Sequence, residues 1–359
     1  AGSFGMAVST AMIFGLVSLM FLDTSINMAM QPFKMMVGDM VNEKQKGLAY
    51  SIQSFLCNAG SLVGFLFPFI FTWIGISNIA PQGVVPDSVI YSFYIGAAIL
   101  ILCVIYTTVK VKEMPPAEYA EYHGITEEEK KEKINMVKLL VKAPKAFWTV
   151  GLVQFFCWFA FMFMWTYTNG SVAANVFDAP TVETVVNGAN KVVLDTKSIQ
   201  YQNAADWVGV LFAVQAIGSV LWAVCIPMFK NRKLIYSLSL VLGGIGFIST
   251  YFVHNQYVLF ISFLLIGCAW AAMLALPFTI LTNALSGGHM GTYLGLFNGT
   301  ICIPQIVAAT LGGSILALFT PKGMLPPEIN MLVMAGVMLI IGAVCVYLIK
   351  ETKGEQAKT

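Results

Sequence analysis

Apolar windows recur along the chain, each close to the roughly 20 residues that a helix needs to cross the hydrocarbon core of a bilayer. They lie near positions 6–27, 48–75, 89–109, 146–168, 207–229, 234–253, 257–281, 293–319 and 330–349. The pattern predicts nine membrane-spanning helices. Most of their connections are short, which makes successive helices antiparallel neighbours.

Two connections are longer. "KVKEMPPAEYAEYHGITEEEKKEKINMVKLLVKAPK" is highly charged, carries Pro115–Pro116 early, and predicts a solvated linker with a short helix. The second, residues 177–206, contains "TVETVVNGANKVVLD", two β-branched runs around Asn187–Gly188 that predict a hairpin with a four-residue loop. Three spans precede the charged linker and six follow it. Transporters are commonly built from two six-helix halves, each an inverted pair of three. The expected organisation is therefore a partial amino-terminal bundle (1–112), a charged central loop (113–144) and a six-helix bundle (145–359) carrying the insertion 177–206. The chain opens into its first apolar window without an initiating Met, so the first three helices of a twelve-helix protein are expected to be missing.

Composition narrows the class further. Hydrophobic residues make up 58% and charged residues 11% of the 359, which excludes an ordinary soluble domain and predicts an all-α integral membrane protein. All seven cysteines fall inside apolar windows without CxxC or Cys/His spacing, so no metal, disulfide or cofactor site is expected. Net charge is only +2, but 17 of the 20 Lys and Arg fall on one set of alternate connections. By the positive-inside rule those connections and the C terminus are cytoplasmic. Lysines of the central loop are mixed with glutamates, and no nucleic-acid-binding patch is present.

Ionisable groups are nearly absent from the spans. Asp23 stands well inside the first window, where a charge costs about 2.5–3.5 kcal/mol. Asn27 and Gln31 follow at four-residue spacing and share its helix face. Such a stripe faces a partner or a cavity. A carboxyl group there can bind and release a proton during a transport cycle, or it can serve as a packing residue held by neighbouring helices. In "FWTVGLVQFFCWFAFMFMWTYTNG", Gln154 accompanies Trp158 and Trp165, the mixture of aromatic faces and amides that suits a sugar's C–H patches and hydroxyl edges. Asn58 adds an amide in the second window. Asn298 and Gln305 lie two turns apart on one face of "GLFNGTICIPQIV", where Pro304 bends or breaks the helix. Pro277, in "WAAMLALPF" with Trp270, does the same for its own helix. Asp39, in the "GD" pair, and the basic run 230–233 are either gate contacts or solvated helix ends. No nucleophile, base or metal ligands converge at membrane depth, which argues against an intramembrane enzyme.

The stretch "DTSINMAMQPFKMMVGD" resembles the fourth-helix signature of the plant sucrose/proton symporters and their animal and bacterial relatives. These belong to the major facilitator superfamily, close to the glycoside–pentoside–hexuronide:cation symporters. "QFFCWFAFMFMWTYTNG" resembles that family's seventh helix, "WAAMLALPF" its tenth and "GLFNGTICIPQ" its eleventh, so the likeness extends over almost the whole chain. There are departures. Gly60–Ser61 stands where the family has Gly-Asn, Lys34 where arginine is common, and Arg232 is the only arginine.

The resemblance implies a monomeric, proton-coupled importer of an α-glucoside such as maltose or sucrose, in a bacterial cytoplasmic membrane, working by alternating access. Asp23 would carry the proton. Asn27, Gln31, Asn58, Gln154, Trp158, Trp165, Asn298 and Gln305 would contact sugar, and Pro304, Pro277 and Asp39 would shape the gates. The alternatives are a uniporter or exporter of another small solute, with Asp23 structural, or an inactive truncated remnant.

Overall fold

The structure, a computed structural model, describes residues 2–76, 87–112, 115, 118, 136–186, 189–284, 290–321 and 323–349. In chain order these form α1 (Gly2–Met40), α2 (Glu43–Trp73), α3 (Asp87–Lys110), a short α4 (Met136–Val141) and α5 (Lys145–Asn175). A hairpin of β1 (Thr181–Val186) and β2 (Ala189–Leu194) follows, then α6 (Ile199–Cys225), α7 (Arg232–Ser249), α8 (Leu259–Ala284), α9 (Met290–Phe297), α10 (Gly299–Phe319) and α11 (Ile329–Cys345). Among the described residues, eight helical stretches are long and apolar enough to span a membrane, α9 and α10 sharing one of them. The 31-residue α2 fills the one predicted window outside that set.

Helix ends depart from the apolar windows where local chemistry overrides hydropathy. α6 starts at Ile199, ahead of its apolar part, because the Ser198 side chain accepts the Tyr201 amide at 3.2 Å and caps the helix there. Asn231 caps α7 by accepting from the Leu234 amide at 3.0 Å. α1 continues through Pro32 to Met40, so the whole stripe of Asp23, Asn27 and Gln31 lies within the helix.

The window at 293–319 runs as α9 and α10, which meet at Asn298 with helical backbone there, and Pro304 sits inside α10 without ending it. Gly295 and Gly299 flank the joint, and the Asn298 amide is shared between the carbonyls of Leu294 and Gly295. The hairpin also differs from expectation. Val186 pairs with Ala189, which leaves two residues, Asn187 and Gly188, between the strands instead of four. Both lie outside the described residues.

α5 is the hub of the packing. It lies against α6, α8, α10 and α11, while α8 packs along α6 and α7 and α11 along α7. Phe161, Phe163, Met164, Leu211, Phe247, Phe263 and Leu339 fill the interior between them. α2 crosses onto α6 and α8, and α3 packs on α2. α1 and α3 leave their apolar surfaces almost wholly outside the packed core. Near Arg232, Tyr50 of α2 stacks on Phe278 of α8 with centroids 6.2 Å apart. Phe297 then links Phe278 to Phe147 at 5.8 Å each, tying α2, α5, α8 and α9 together at that end.

Candidate functional site

The site begins with a defect in α8. Pro277 has no N–H, so the carbonyl four residues earlier, Met273 O, receives no bond from its own helix. Gln154 of α5 supplies it: Nε2 donates to Met273 O at 2.9 Å, from a residue only 1% exposed. The other end of the same amide, Oε1, is buried without a partner.

One turn along α5, Trp158 packs edge-on against Trp270 of α8, with centroids 5.7 Å apart and planes at 77°. Trp165 completes the arrangement, 6.4 Å from Trp158 and 5.8 Å from Trp270, and Phe161 lies 4.9 Å from Trp270. The indole N–H of Trp158 is likewise buried without a partner, whereas Trp165 is 43% exposed and forms the open edge of the cluster. Two tryptophans of α5 thus flank Trp270 of α8, beside an unused acceptor and an unused donor. A buried polar group left unpaired costs about 1–3 kcal/mol, so these two atoms are costly as they stand.

α2 reaches the same stretch of α8. Ser54 Oγ donates to Ala271 O at 3.4 Å, and Asn58 Nδ2 donates to Ser54 O at 2.7 Å. Asn58 is fully buried, and its Oδ1 has no partner. Ser54, which carries no charge and stands out in no motif, was not among the residues singled out from sequence. Only the pairing of α2 with α8 reveals it.

Asp23 belongs to a second group. It is exposed on α1, and Asn27 Nδ2 donates both to its Oδ1 at 3.2 Å and to its backbone O at 2.9 Å. The side chains of Gln31 and Asp39 lie outside the described residues. Asp23 is close enough to Cys302 of α10 for its charge to act on the thiol. Asn298, at the α9–α10 joint, points Nδ2 at Cys302 Sγ (3.9 Å) and keeps a buried Oδ1 without a partner. Gln305 is half-buried further along α10, and Pro304 is buried. Cys302 therefore lies near both the carboxylate of α1 and the amide of Asn298. Among the described residues no hydrogen bond joins this group to the tryptophan cluster.

A family model for the major facilitator superfamily matches residues 1–188 and again residues 172–359. The chain belongs to the major facilitator superfamily. It is an integral membrane transporter with that superfamily's fold, a carrier and not an enzyme. The crystal structure of the E. coli fucose:proton symporter FucP aligns with a TM-score of 0.53 at 16% identity, covering 88% of this chain and 72% of that one. At that identity the likeness concerns the fold. No curated protein matches the chain.

Proposed function

We propose that this superfamily member is a proton-coupled sugar symporter of the sucrose-symporter type, importing an α-glucoside such as maltose or sucrose. The observation that carries the reading is the tryptophan cluster of Trp158, Trp165 and Trp270, with the unused Gln154 acceptor and Trp158 donor beside it. Sugars present apolar C–H faces to rings and hydroxyls that both donate and accept. The fucose:proton symporter of like fold supports the same substrate class and the same coupling ion.

In this reading Trp165 forms the accessible face of the sugar site, Gln154 and Trp158 bind hydroxyls, and Asn58 extends the polar lining from α2. Asn298 and Gln305 line the opposite wall on α10, and Gln31 continues the stripe of Asp23 and Asn27. Asp23 carries the proton. Loading and releasing it changes the charge between α1 and α10, and the bundles 1–112 and 145–359 rock around the site, with bends at Pro277 and Pro304 and a cytoplasmic contact at Asp39 shaping the gates. The protein works as a monomer in the cytoplasmic membrane of a bacterium, C terminus inside.

Equilibrium binding of maltose, sucrose and fucose, followed by tryptophan fluorescence in detergent, tests the site. Trp165→Ala is expected to weaken the preferred sugar by about three- to tenfold, the worth of one ring contact. Unchanged affinity would remove that ring, and with it the open face of the proposed site.

A further inference from the structure

Glu328 is the residue at which α11 begins, yet its carboxylate makes no bond to the amides of that helix's first turn. It lies instead against α5: Oε1 sits 2.8 Å from where a side chain at Gly170 would place its Cβ, so the seat exists only because residue 170 is glycine. One turn back on α5, Tyr167 is close enough for the charge of Glu328 to act on its hydroxyl. That hydroxyl in turn lies 2.6 Å from the Cβ position of Gly312 on α10. One carboxyl group therefore occupies the place where α5, α10 and α11 meet, at the end of the molecule that carries the hairpin.

Among the described residues, the polar groups around it are already engaged elsewhere. Ser171 Oγ and Asn175 Nδ2 are bonded to carbonyls of α5 itself, and Asn169 Nδ2 donates to Tyr201. Tyr167 is the only titratable group that α5 brings to it, since Lys145 is at the far end of that helix, and α10 and α11 contain no charged residue. Arg232 and Lys233 stand at the opposite end of α7. Among the described residues, no cation neutralises the carboxylate. Burial accordingly pushes the Glu328 carboxyl up to about 7.

We propose that Glu328 is a proton-binding site separate from Asp23: protonated, it stays seated on Gly170 and holds the first turn of α11 to α5; ionised, it moves to water and frees that turn. The seated form holds its proton more tightly than a free carboxyl at the ordinary 4.5. The seat is therefore fully held below that value, weakens as pH rises towards about 7, and changes no further above it. This goes beyond the sugar-symport reading, and its test requires no substrate.

Hydrogen exchange on the membrane-embedded protein reads it directly. After correction for intrinsic rates, amides of Met331 and Leu332 should exchange about tenfold or more slowly at roughly pH 5 than at roughly pH 8. Glu328→Gln, neutral and of the same shape, should be slow at both, while Asp23→Asn keeps the wild-type profile. A wild-type profile that ignores pH, or a pH step that survives in Glu328→Gln, would overturn the proposal. Either result leaves the role of Asp23 in uptake to be settled by its own assay.

Discussion

Gln154 closes the bond that Pro277 leaves open, and this couples two helices at one atom, Met273 O. Gln154→Leu should strand that buried carbonyl and destabilise the protein by about 1–3 kcal/mol. Pro277→Ala restores the missing helical N–H, so the double variant should recover most of the loss, as a double-mutant cycle of thermal melts in detergent would show. Simple additivity of the two changes would contradict the pairing. The sequence pointed to Gln154 and Pro277 separately, one as a sugar contact and the other as a bend. Their partnership depends on the register of α5 against α8, which no local pattern encodes. Glu328 is inconspicuous in the sequence for a different reason. It follows Pro326–Pro327 and precedes the last apolar window, so it reads as a loop residue, and only the packing of α11 on α5 turns it inward.

At the scale of elements, a long helix lies under each apolar window, because a helix in lipid must be largely apolar and satisfy its backbone internally. Hydropathy was least informative about helix ends, which are set by single caps: Ser198 extends α6. Nor could it say which helices touch. α6 and α8 approach backbone to backbone, and a Cβ at Gly218 would lie 2.5 Å from Leu264 O. Gly218→Ala must push the two helices apart, at a cost of about 1–3 kcal/mol. Gly209→Ala, on the same helix with nothing within 4 Å, serves as the control and should melt no lower than the parent protein. Equal melting temperatures for the two variants would mean that the close crossing is not what holds this pair.

For the molecule as a whole, the two polar groups occupy different helix seams. The tryptophan cluster and its orphan amide lie on the α5–α8 seam, while Asp23 and Asn27 on α1 lie near Cys302 and Asn298 of α10. α2 spans onto α6 and α8, and the stack of Tyr50 on Phe278 ties it to α8 at the Arg232 end. A carrier of this superfamily must break such contacts to expose its site on the other side, and charge at Asp23 is the proposed control on when it does so. The decisive measurement is uptake of radiolabelled maltose and sucrose into vesicles, with and without an inward proton gradient, for wild type and Asp23→Asn. The account predicts that the gradient drives accumulation in wild type, and that the variant loses accumulation but retains counterflow exchange. Uptake indifferent to the gradient, with the variant indistinguishable from wild type, would make Asp23 a packing residue and contradict proton-coupled symport.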